Sequence, residues 1–122
     1  MTTPPVGNLP ANPTIPLTPE ARSAYQDLYK AIQAELDGTM DAAAIEALNA
    51  WQPEVDQVLR KDDLYKIATN TSNLDALQKQ IDYTNQGLKT LQGQISSISS
   101  HFAMAGDIIA AIAKVLTLIP GA

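Results

Sequence analysis

Chemistry in this sequence would have to start at His101, the only histidine, which directly follows Ser99 and Ser100. A hydroxyl beside an imidazole is the nucleophile and base of acyl transfer, but the base also needs an orienting carboxylate. None lies close in sequence, so a triad would have to assemble across the fold, and a lone histidine at a surface or interface is the commoner arrangement. Asp62-Asp63, next to Arg60-Lys61, offers two carboxylates to a cation, although these four residues read more simply as a mixed-charge helix face. The chain has no cysteine, which removes thiol nucleophiles, disulfides and Cys-ligated zinc. It also has no P-loop, no dinucleotide glycine pattern and no His-x-x-x-His pair. Asn70-Thr71-Ser72 fits a glycosylation acceptor, which has meaning only in a secreted eukaryotic chain. Trp51 and the four tyrosines could anchor a ligand or a lipid surface. Tyr25, Tyr29 and Tyr65 sit beside apolar positions at helical spacing, where packing with an exposed hydroxyl is the default. This inventory predicts a non-enzymatic protein that uses no cofactor and no metal.

A chain of 122 residues is sized for one domain with a modest core. Hydrophobic residues make up 45% and aromatics only 5%, so that core must be mostly Leu, Ile, Val and Ala, which suits helix packing. No strand-like alternation of Val, Thr and Tyr is visible. Thirteen acidic residues against 8 basic ones give a net charge of −5. An acidic surface repels phosphate backbones, which argues against nucleic acid as a partner. Ten acids and four bases precede Leu64, whereas three acids and four bases follow it, so the second half is nearly neutral. Met1 to Pro16 lacks the basic start and apolar run of a signal peptide, so the expected location is cytoplasmic, or outside by an export route that needs no such peptide.

The fold class predicted is all-α: an elongated helical hairpin or bundle with one long heptad-patterned C-terminal helix. Residues 1–17 contain Pro4, Pro5, Pro10, Pro13 and Pro16 and read as a disordered, polyproline-like arm, with a docking peptide as the functional alternative. Residues 18–122 form the helical domain, with helices expected at about 19–37, 42–60 and 63–119. The first opens with Thr18 as cap, Pro19 in the first turn and Glu20 at the positive end of the dipole. Ala21, Tyr25, Leu28, Ile32 and Leu36 form its stripe, and Gly38 ends it. Asp41 caps the second, whose stripe runs through Ile45, Leu48, Trp51 and Val55. Pro53 makes this segment either one kinked helix or two helices with Pro53 heading the second, and the second option is preferred. Asp-Leu-Tyr-Lys recurs at 27–30 and 63–66 without matching flanks and reads as coincidence.

From Ile67 onward a heptad runs to the end of the chain. Ile67, Leu74, Ile81, Leu88, Ile95, Phe102, Ile109 and Leu116 are seven apart. Three residues after each lie Asn70, Leu77, Thr84, Leu91, Ile98, Ala105, Ile112 and Ile119. Such a repeat keeps one seam facing a helical partner. As one helix it would be about 80 Å long. The interaction seam expected is Ile67, Leu74, Leu77, Ile81, Leu88, Leu91, Ile95, Ile98 and Phe102. The columns beside it, from Thr71 and Asn73 to Ser99 and His101, are uncharged, which suits burial beside further helices or a helix lining a wet pore.

Residues 102–119 contain only two charges, Asp107 and Lys114, which continue the column of Ser100 as a polar stripe opposite the seam. A helix apolar nearly all round is buried on several sides. Its length is near the 17–25 residues of a membrane span, although two charges make it poor as a lone span. Ile108, Ile109, Ile112, Val115, Leu116 and Ile119 would then meet lipid or neighbouring helices. The soluble alternative covers this segment with residues 19–60 or with a partner.

The pattern over 64–119, a long amphipathic helix with an apolar tip, is similar to that of α-helical pore-forming toxins and secretion translocators, without a family-specific motif. That similarity implies a self-associating, membrane-active protein that inserts its C-terminal segment. The alternative is a soluble adaptor (a chaperone, an immunity protein or a phage structural subunit) that grips a protein through its long helix. The partners expected are the chain itself, a helical protein and a lipid membrane.

Overall fold

The computed structural model describes residues 16–119. Of the disordered arm expected over 1–17, residues 1–15 lie outside them. Its last positions do not: Leu17 is buried and donates its N–H to Asp62 Oδ1 at 2.8 Å, so the folded part begins earlier than expected. The described chain is all helical, with α1 at Pro19–Gly38, α2 at Ala42–Ile67, α3 at Thr71–Ser97, a single 3₁₀ turn at Ser99–His101, and α4 at Ala105–Leu118.

Local chemistry explains most helix starts. The Thr18 hydroxyl accepts the Ala21 N–H at 3.1 Å with Pro19 in the first turn. Asp41 Oδ1 accepts from Ala43 and Ala44, and Asn70 Oδ1 accepts from Asn73. α2 differs from the expectation of a break at Pro53, for it continues through that residue to Ile67. Pro53 and Asn49, whose carbonyl loses its intrahelical donor, are both exposed, so water can take the place of the missing N–H. Val55 and Val58 meanwhile keep the inner face of the helix buried.

The long C-terminal helix expected over 63–119 is corrected. Residues 63–67 belong to α2, the chain turns at Ala68–Asn70, and it turns again at Ile98–Met104. Serines at 96, 97, 99 and 100 weaken the helix by offering their own hydrogen bonds to the backbone. Glu35, in α1 and only 2% exposed, then supplies the alternative partner: its carboxylate accepts the N–H of Ala103 at 3.0 Å and of Met104 at 2.7 Å. It thereby substitutes for a side-chain cap that α4 lacks, and places negative charge at the start of that helix.

The turns produce a four-helix bundle. α1 packs against α2 and α4, and α3 packs against the same two. Neighbours are antiparallel, as short links require: Arg22, early in α1, bonds Asp62, late in α2, and Lys61 of α2 bonds Gln80 of α3. The core holds Tyr25, Leu28, Ile32, Leu48, Leu77, Ile81, Leu88, Leu91, Ile95, Ile108 and Ile112, all fully buried.

Candidate interaction surfaces

The structure gives His101 the carboxylate that the sequence did not reveal. Its Nδ1 lies 2.7 Å from Asp41 Oδ2, across 60 residues of chain. Asp41 already caps α2 with its other oxygen, so the pair ties the α3–α4 connection to the α2 N-terminus. The hydrogen bond from His101, followed by the Ala44 N–H, holds the Asp41 carboxyl below the usual carboxylate range. Among the described residues no hydroxyl bonds His101, so this is a His–Asp pair without a nucleophile. Asp62 is fully buried and bonds the Leu17 N–H, Arg22 at 2.8 Å and Lys66 at 2.7 Å, while Asp63 also meets Arg22 at 3.0 Å. Those cations occupy the place the sequence offered to a metal, and the described residues contain no cluster of metal-ligating side chains.

The seam residues fall into two groups. Leu77, Ile81, Leu88, Leu91, Ile95 and Phe102 are buried, whereas Leu74 and Ile98 are half-buried. Ile67 is 83% exposed, because it ends α2 and precedes the turn that starts α3. In α4 the buried face moves round: Ile108, Ile112, Val115 and Ile119 face inward, while Ile109 and Leu116, in register with the α3 seam, are only half-buried. The heptad therefore continues in the sequence but not as one surface. Ser100 sits in the 3₁₀ turn, whereas Asp107 and Lys114 are exposed on α4.

Polar residues beside the seam are used inside the bundle. Gln80 Nε2 donates to Glu54 Oε1 and to Thr84 Oγ1, both at 2.9 Å, and Lys61 donates to Gln80 Oε1 at 2.9 Å. The Tyr25 hydroxyl donates to Asn85 Oδ1 at 2.7 Å, joining α1 to α3 across the core, and Asn85 Nδ2 has no protein partner among the described residues. Burial raises the Tyr25 hydroxyl well above the ordinary phenol range, against the opposing effect of Asn85. Gly87 is buried because the Trp51 indole lies over it; Tyr83, exposed on the outside, meets Trp51 at a ring-centroid distance of 5.3 Å.

Among the described residues, three surface regions combine exposed apolar or small side chains with few charges. At the α2–α3 tip, Ile67 and the 49% exposed Leu64 stand in solvent beside uncharged Thr69, Asn70, Thr71 and Ser72. An open cleft between the start of α1 and the end of α4 is lined by Pro19, Glu20, Ser23, Lys114 and Leu118. The outer face of α4 presents Gly106, Ala110, Ala113 and Thr117, bordered by Asp107 and Lys114 on one side and by Ile109 and Leu116 on the other. No helix among the described residues is long and apolar enough to cross a membrane. The chain matches no family model, no curated protein and no solved structure.

Proposed function

We propose that the protein is a non-enzymatic helical protein that works by associating with itself or with a helical protein partner. The outer face of α4 carries this reading. A helix on the outside of a bundle ordinarily turns a charged face to water. Here that face has two charges, and small or apolar residues fill the rest. The exposed Leu64 and Ile67 add a second apolar spot at the α2–α3 tip. Light scattering on the eluting protein tests the reading: a mass above the 13.1 kDa of one chain that rises with concentration supports it. One-chain mass throughout, with no partner held through either surface, overturns it.

A second reading keeps the membrane as partner, and the composition of α4 favours it. Ile108, Ile112 and Val115 face inward, while Ile109, Leu116 and Leu118 lie at its edges. At 14 residues α4 is about 21 Å long, shorter than the roughly 30 Å of a bilayer core. Membrane contact would therefore begin with α4 lying in the interface, after its release from α1 and α3. Insertion across the bilayer, as in a pore-forming component, would need a longer helix rebuilt from α3 and α4. Dye release from zwitterionic and from anionic liposomes tests this, and a folded protein that neither binds either kind of vesicle nor releases dye, even after acid treatment, excludes it.

A further inference from the structure

Asp107 and Lys114 are seven residues apart on the outer face of α4, both exposed. Seven residues return to within about 20° on a helix and span about 10.5 Å along it. Among the described residues neither side chain forms an ion pair within the chain, as is also true of exposed Lys30, Glu46 and Lys89. Midway between them are Ala110 and Ala111, and Gly106, Ala110, Ala113 and Thr117 form the small-residue line alongside.

We propose that this face is the interface between two copies of the chain, with α4 antiparallel to α4 and each Asp107 paired with the partner's Lys114. The proposal rests on the self-association reading and specifies its geometry. A two-fold axis through the middle of the face, between Ala110 and Ala111, exchanges positions 107 and 114, so one patch makes two identical ion pairs. A parallel arrangement would lay each charged edge against the partner's Ile109 and Leu116 edge and leave all four charges without a partner. The charge pattern thus selects both the orientation and the register. Gly106, Ala110 and Ala113 let the two helices approach to near the lower end of the usual 8–10 Å axial separation. Ile109 and Leu116, half-buried in the single chain, supply apolar area at the opposite edge. Two short helices make a small interface, so the dimer is expected to dissociate in about the micromolar range and to weaken as salt is added.

Sedimentation velocity over a concentration series tests this with five proteins: wild type, D107K, K114D, the D107K/K114D exchange and A110Q. Each single charge reversal sets like charges opposite one another and should weaken the dimer at least about tenfold. The exchange restores both pairs and should return the affinity to near wild type. A110Q adds bulk at the centre without changing charge and should also weaken association. Circular dichroism melts report whether each variant is folded, and A110Q with the salt series carries the test should a charge reversal unfold the chain. A wild type that stays monomeric overturns both this geometry and the self-association reading. A wild-type dimer whose affinity is indifferent to all four variants leaves self-association standing and overturns the α4 pairing, as does an exchange variant that fails to recover.

Discussion

Two glycines six residues apart in α3 should respond to the same substitution with opposite signs. An alanine Cβ at Gly93 would meet nothing within 4 Å, so Gly93→Ala brings only the helix-propensity gain, about 0.5–1 kcal/mol. For a domain of this size that raises Tm by about 2–8 °C. At Gly87 the same Cβ would overlap Cη2, Cζ3 and Cζ2 of Trp51, far inside van der Waals contact. Overpacking costs about 1–3 kcal/mol, so Gly87→Ala should be less stable than Gly93→Ala by about that amount and, after the propensity gain, less stable than wild type by up to about 2.5 kcal/mol. Urea unfolding followed by fluorescence measures both, because Trp51 is the only tryptophan. The native emission of Gly87→Ala should also shift to the red as the indole is pushed towards water, whereas that of Gly93→Ala should not move. A Gly87→Ala protein as stable as Gly93→Ala, with unchanged emission, would refute the seating of Trp51 on α3.

Glu35→Ala removes both acceptors of the Ala103 and Met104 N–H groups; it should cost about 2–3 kcal/mol in urea and speed hydrogen exchange at the start of α4. Equal stability and exchange would mean that the carboxylate does not hold the turn. Tyr25→Phe removes the one side-chain hydrogen bond that Asn85 makes among the described residues and should cost about 1–2 kcal/mol in urea, with little change in the circular dichroism spectrum. Asp41 has a depressed folded pKa, so its stabilising contribution is present above the unfolded value and is lost as pH falls through the folded one. The stability gap between wild type and Asp41→Asn should therefore close on acidification below the normal carboxylate range, and a constant gap would contradict the role of His101 and the α2 N–H groups.

Helix starts were legible because caps are local: Thr18-Pro19-Glu20 and Asp41 act within three residues of the amides they satisfy. The buried line from Leu77 to Ile95 was legible because the seven-residue spacing reports one face of one helix. The turn at Ile98–Met104 was not, since its partner Glu35 lies 68 and 69 residues away and the apolar spacing runs through the turn in phase. α4 is apolar on so much of its circumference that spacing could not say which side faces inward, and the structure chooses Ile108, Ile112 and Val115. Pro53 misled for the opposite reason: its cost is real in general, but exposure of Pro53 and Asn49 lets solvent absorb it. Of the candidate surface, Asp107 and Lys114 were visible as a stripe in the sequence, but only the folding back of α4 shows which small residues share its exposed face.

The proposed association through α4 requires that this helix fold back along α1, which leaves its outer face exposed. Cysteines introduced at Ser23 and Leu118, which line one cleft, allow spin labelling of an otherwise cysteine-free chain. With labelled protein diluted in unlabelled protein, pulsed electron paramagnetic resonance reads the distance within one chain. The bundle requires a narrow distribution below about 25 Å, allowing for short linkers on helices about 10 Å apart. A chain in which α3 and α4 form one rod would place these positions more than about 50 Å apart, and a dominant population there would contradict the account.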